Sequence, residues 1–121
     1  MQNEHMRTLA LVPGFAGAIT MALLLTIAGP ARAADADAAQ ALARRSNCFK
    51  CHSVDKKKDA PPWKELAAKL KGKADAQATV IKHITTGPKV KLEDGSEEEH
   101  PVIKTKNQDE IKNLADWILS L

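Results

Sequence analysis

Two cysteines separated by two residues and followed at once by a histidine, Cys48-Phe49-Lys50-Cys51-His52, are the only thiols in the chain. Three chemistries use such a pair. A dithiol redox centre needs a surrounding βαβ pattern, and the flanking sequence offers none. A tetrahedral zinc site needs further ligands at matched spacing, usually a second pair, and the remaining histidines are scattered. Haem attachment needs a histidine directly after the second cysteine, and His52 stands there. Each thiol can add to one vinyl group at the haem edge, and a turn of helix between the two thioethers lets the imidazole swing under the iron. The motif therefore predicts one covalent haem c, attached through Cys48 and Cys51, with His52 as an iron ligand.

The chain that must position this motif has 121 residues, and part of it reads as an address. Met1 to Arg7 is polar, Thr8 to Gly29 is apolar and almost uncharged, and Ala31-Arg32-Ala33 offers small residues at the two positions a signal peptidase reads. Residues 1–33 are thus expected to be a secretory signal peptide and residues 34–121 the functional domain, with Ala34 as the mature N-terminus. The alternative is a retained anchor, because the apolar run is long enough to span a bilayer. After cleavage the chain needs no membrane and is expected in the periplasm as a monomer. Its large aromatics are then Phe49, Trp63 and Trp117 alone. So short a chain buries a modest core, and an apolar haem between helices would supply what is missing. The formal charge of +3 includes Glu4, Arg7 and Arg32, so the trimmed chain is near neutral, and nothing in that balance suggests nucleic acid.

The rest reads as helices with punctuation. Ala36 to Asn47 is rich in alanine and lacks glycine and proline, predicting a helix up to the motif. Val54 to Ala60 reads as a lysine-rich loop. Pro62 to Lys71 places Trp63, Leu66, Ala67 and Leu70 on one face and is stopped by Gly72. Asp75 can cap a third helix carrying Val80, Ile81 and Ile84, closed by Gly87-Pro88. Lys89 to Pro101 reads as irregular, with a short hairpin about Asp94-Gly95. Asn107 with Glu110 resembles a capping box, and a last helix, with Ile111, Leu114, Ile118 and Leu121 at helical spacing, runs to the terminus.

In these features the chain resembles small bacterial class I cytochromes c across nearly all of residues 34–121. The likeness is carried by Cys48-Phe49-Lys50-Cys51-His52 after an N-terminal helix, by Pro61-Pro62-Trp63-Lys64-Glu65-Leu66, and by Asp116-Trp117-Ile118-Leu119-Ser120-Leu121 at the end. The resemblance implies an all-α fold, about four helices around one covalently bound haem, with the first and last helices crossing near a haem edge. It also implies that a proline carbonyl, by position that of Pro61, accepts a hydrogen bond from the His52 imidazole. The family usually has glycine before that proline, where this chain has Ala60.

The family's second iron ligand is normally a methionine followed by proline, before the last helix. Here the methionines are Met1, Met6 and Met21, all within the expected signal peptide, and His100-Pro101 occupies the matching place. The resemblance thus implies bis-histidine ligation by His52 and His100, with His83 as the competing residue and a lysine ligand or an open position as further alternatives. The function expected is a periplasmic one-electron carrier rather than an enzyme. A haem-bearing subunit of an oxidoreductase complex and a haem-based gas sensor are the other readings. Lys50, Lys56, Lys57, Lys58, Lys64, Lys69, Lys71 and Lys73 form a basic stretch after the motif, and Glu93, Asp94, Glu97, Glu98 and Glu99 an acidic one before His100. These are solvated loops or a docking surface for periplasmic redox proteins, at least one of them acidic.

Overall fold

The computed structural model describes residues 33–121, so the expected signal segment lies outside the described residues apart from Ala33. Four helices carry the fold: α1 (Ala36–Arg45), α2 (Trp63–Leu70), α3 (Ala76–Thr86) and α4 (Gln108–Leu119). A short antiparallel pair, β1 (Lys89–Lys91) and β2 (Glu97–Glu99), stands between α3 and α4. Among the described residues no helix is long and apolar enough to cross a membrane.

Helices α1 and α4 cross. The backbone N–H of Asp35 donates to Asn113 Oδ1 at 2.7 Å, and Asn113 Nδ2 returns a bond to the Asp35 carbonyl at 2.8 Å. Arg45, at the other end of α1, meets Glu110 at 2.7 Å. Both links fall within one turn of α4, which a parallel arrangement of a ten-residue helix could not give. Small side chains let the backbones approach there: Ala43 and Ala115 are fully buried, with Leu42 and Leu114 packed around them.

Local chemistry sets the ends of these helices. Asp35 caps α1 by accepting the Ala38 N–H at 3.0 Å. The helix stops at Arg45 rather than reaching Asn47, because Asn47 turns into the left-handed region (φ 60°) and a 3₁₀ turn over Cys48–Lys50 follows. Buried Ser46 holds that corner to the far loop, its hydroxyl accepting the Lys104 N–H at 3.0 Å. Asp75 precedes α3 as expected but does not cap it through its carboxylate, which faces the Thr79 hydroxyl instead. At α4 only half a capping box forms. Asn107 Oδ1 accepts the Asp109 and Glu110 N–H groups, while the Glu110 carboxylate is drawn to Arg45 and Thr105. The Asn107 N–H goes to the Thr105 hydroxyl. The helix closes at Leu119, where the Ser120 N–H bonds back into the last turn.

The short hairpin expected about Asp94-Gly95 is present, with β1 and β2 as its arms. Gly95 (φ 88°) supplies the left-handed position, its N–H bonding the Leu92 carbonyl at 3.0 Å, and Asp94 Oδ1 accepts the Ser96 N–H. Lys89 faces Glu99 and Lys91 faces Glu97 across the ladder, pairs of opposite charge that fix the register.

Candidate haem-binding site

The site forms where the turn after α1, the start of α2, the end of α3 and the segment after β2 converge. Its first half is built almost wholly from Cys48 to Trp63. The 3₁₀ turn places the N–H groups of Cys51 and His52 on the Cys48 carbonyl, at 3.3 and 3.0 Å, which sets the thiols one turn apart. The chain then doubles back. The Ala60 N–H reaches the Cys51 carbonyl at 3.1 Å, and those of Trp63 and Lys64 reach Ser53 and Val54 at 3.0 and 3.1 Å. Those last two bonds satisfy the first free N–H groups of α2, whose N-cap, Pro62, has no side-chain acceptor to offer.

Because of this return, His52 Nδ1–H donates to the Pro61 carbonyl at 3.1 Å. A carbonyl can only accept, so the proton sits on Nδ1 and the Nε2 lone pair is left free. The Trp63 indole stacks on the His52 ring (5.5 Å between centroids, 18° between planes), while Phe49 and Trp117 meet Trp63 edge-on at 5.0 and 5.2 Å. Sequence reasoning assigned Trp63 to a helix face without seeing this second contact. The signal for it was the position of Trp63 directly after Pro61-Pro62.

The second half comes from distant sequence. His100 faces His52 with 6.1 Å between ring centroids, and His83, on α3, meets the His100 ring edge-on at 4.5 Å. An apolar cavity of about 290 Å³ opens among Cys48, His52, Trp63, Leu66, Leu70, Val80, Ile84, His100, Leu114 and Ile118, with His83 at its rim. A second, of about 220 Å³, lies toward the hairpin and includes Cys51, Val90, Leu92, Glu98 and Glu99. The two share Cys48, His52 and His100, so the space extends to either side of the facing imidazoles.

These residues fit a covalently held haem. Both cysteines are free thiols at the cavity wall, and burial pushes the Cys48 thiol up. Burial pulls His52, His83 and His100 below the usual histidine range, and neighbouring rings add to this at His52 and His100, which favours the neutral imidazole a metal needs. Two imidazoles on opposite sides of one metal ion, each about 2 Å from it, have ring centroids roughly 6 Å apart. The His52–His100 separation of 6.1 Å matches this. His100 Nδ1 is buried and has no hydrogen-bond partner among the described residues.

The charged stretches are less separate than their positions suggest. Lys57 pairs with Glu93 at 2.7 Å, and the Glu93 N–H bonds the Asp59 carbonyl, so the basic loop and the acidic hairpin touch. Lys64 pairs with Asp55, Lys69 with Glu65, and Lys58 donates to the Phe49 carbonyl. Lys50, Lys56, Lys71 and Lys73 form no ion pair among the described residues.

The cytochrome c family model matches residues 36–121 of this chain. A cytochrome c-552 of Nitrosomonas europaea is 38% identical over 80% of the chain and 86% of its own length. A cytochrome c-551 of Pseudomonas aeruginosa is 31% identical over 83% and 92%. The crystal structure of the class 1 cytochrome MtoD from Sideroxydans lithotrophicus ES-1 superposes with a TM-score of 0.70 at 58% identity, covering 73% of this chain and 97% of that one. That of Nitrosomonas europaea cytochrome c552 gives 0.53 at 32% identity, covering 67% and 96%.

Proposed function

Because the chain belongs to the cytochrome c family and carries one covalent haem c, we propose that it is an exported, periplasmic one-electron carrier whose iron is held between His52 and His100. The observation that carries the ligand assignment is the pair of neutral imidazoles facing each other at 6.1 Å in an apolar cleft, in a chain with no methionine beyond Met21. When attached, the haem supplies a ferric–ferrous couple. The protein's residues do the rest. Cys48 and Cys51 anchor one edge. The Pro61 carbonyl fixes the tautomer of His52 and makes its Nε2 more basic. Leu66, Leu70, Ile84, Leu114 and Ile118 exclude water from the cleft. Imidazole on both sides favours the ferric state, where thioether sulfur favours the ferrous one, so the potential lies below that of methionine-ligated relatives. Held by both His52 and His100, the iron would offer no open position to a substrate, and the protein would work as a carrier and not as an enzyme.

Residues 1–33 direct export and are removed, leaving Ala34 as the N-terminus. The unpaired Lys50 and Lys56, beside the haem-bearing turn, attract an acidic redox partner. Exposed charges are screened over about 8 Å at physiological ionic strength, so the attraction fades with salt. Intact-mass analysis of periplasmic protein should give a chain starting at Ala34 plus one haem.

The test of the ligand assignment is the midpoint potential of His100→Met beside wild type. The loop already carries residue 100 to the cleft, so the variant should fold and its potential should rise by a fraction of the roughly 0.8 V over which axial ligands set haem potentials. An unchanged or lower potential would remove His100 from the iron.

A further inference from the structure

The segment carrying His100 is an exposed strand end followed by Pro101 and Val102, and Val102 is 52% exposed. Little of it is buried, yet it must deliver an imidazole to a fixed point. Its hydrogen bonds and its closest contacts lead to one place, the last turn of α3 and the two residues after it. The His100 N–H donates to the Pro88 carbonyl at 2.9 Å, and the Ile103 N–H to the Ile84 carbonyl at 3.0 Å. The His83 ring stands edge-on to the His100 ring, 72° between planes.

Gly87 makes the closest approach. It ends α3 in the left-handed region (φ 61°), and a Cβ built there would lie 2.8 Å from the His100 carbonyl oxygen and 3.1 Å from Val102 Cγ2. The first distance is one that real Cβ atoms do not adopt, and its partner is backbone, which cannot swing aside as a side-chain tip can. Gly72 and Gly95 also have positive φ (79° and 88°), but a Cβ at either would meet nothing within 4 Å. Gly87 therefore answers two demands, the helix end and the seat of the His100 backbone, where Gly72 answers only the first and Gly95 serves the hairpin turn.

We propose that the end of α3 is the positioning element of the sixth ligand: Gly87 sets where the His100 backbone lies, and His83 sets the plane of its ring. Both are positioning residues, acting on the iron only through His100, and the inference rests on the reading of His100 as a ligand. A Cβ at residue 87 lifts the His100 carbonyl, and the imidazole follows it away from His52. Loss of the ring at residue 83 leaves the His100 imidazole free to rotate about its own axis.

The experiment uses ferrous holoprotein titrated with carbon monoxide, which binds only when the sixth ligand has left. Its apparent affinity therefore scales with the open fraction. Gly87→Ala should raise that affinity by about tenfold or more, and Gly72→Ala, which carries the same left-handed strain without the contact, should stay within about twofold of wild type. Equal affinities for Gly87→Ala, Gly72→Ala and wild type would overturn the proposal. His100→Ala reports separately on the underlying assignment. If its low-spin spectrum and carbon monoxide affinity match wild type, His100 is not the ligand and the fault lies in that reading. Should Gly87→Ala yield no holoprotein, the ring contact decides. His83→Ala should shift the ferric low-spin magnetic resonance, and His83→Phe, which restores a ring without a nitrogen, should return it toward wild type. A His83→Ala signal identical to wild type would overturn the proposal.

Discussion

The two walls of the cleft hold their histidines in different ways. On one side His52 is fixed within fifteen residues of sequence, its Nδ1–H on the Pro61 carbonyl and its ring face on Trp63. On the other, His100 has a buried Nδ1 with no partner among the described residues and stays in place by its backbone and by contact with α3. One histidine is set by a local motif bonded to itself, the other by packing against a helix remote in sequence. The first wall should fail only with covalent attachment or the core, whereas the second should be tunable without loss of the fold.

The largest effect should come from the first wall. Cys48→Ala with Cys51→Ala removes both thioether sites, and the variant should lose its haem to acid–acetone extraction while wild type keeps it. Retention by the double variant would mean that attachment does not run through this motif. Leu42→Ala should come next. Leu42 is 1% exposed where α1 crosses α4, and its truncation should cost about 3 kcal/mol, read as a fall in Tm of roughly 15 °C. The low-spin spectrum should persist up to the transition. Early loss of that spectrum in Leu42→Ala would show that the core and the second wall are coupled, and the contrast between the walls would weaken.

How much of this was legible in the sequence follows the same division. The attachment motif and the helices depend on residues near one another, and periodicity and spacing report them; the acceptor role of Pro61 is equally local, but only the family resemblance pointed to it. The approach of His83 to His100 and the demand on Gly87 depend on where α3 ends relative to a segment more than ten residues away, and Gly87-Pro88 read only as a helix stop. Charge was legible as composition and not as pairing. Lys57 and Glu93 lie 36 positions apart and meet because the hairpin folds back over the loop. The capping box failed halfway for a related reason, since Arg45 from another helix competes for the Glu110 carboxylate.

Two smaller effects sharpen the contrast where the second wall joins α4. Asn107→Ala removes an oxygen that accepts two helix N–H groups and should cost about 1 kcal/mol in chemical denaturation, with no change in the haem spectrum. Glu110→Gln should lower stability in a pH-dependent way. Hydrogen bonds from Thr105 and Arg45 hold the Glu110 carboxyl below its ordinary value, so its contribution to stability is present above about pH 4.3 and disappears as pH falls through the folded-state value. The variant's Tm should therefore be lower than that of wild type at pH 7 and converge with it in acid. A difference that grew toward low pH would contradict the assignment.

The most direct test of the central claim is the magnetic resonance and visible spectrum of the ferric holoprotein, wild type beside His100→Ala. Ligation by His52 and His100 predicts a low-spin signal of two neutral imidazoles and no near-infrared-edge band from methionine sulfur in wild type, with conversion to a high-spin form in His100→Ala. A high-spin wild type, or a low-spin signal that survives unaltered in His100→Ala, would contradict it.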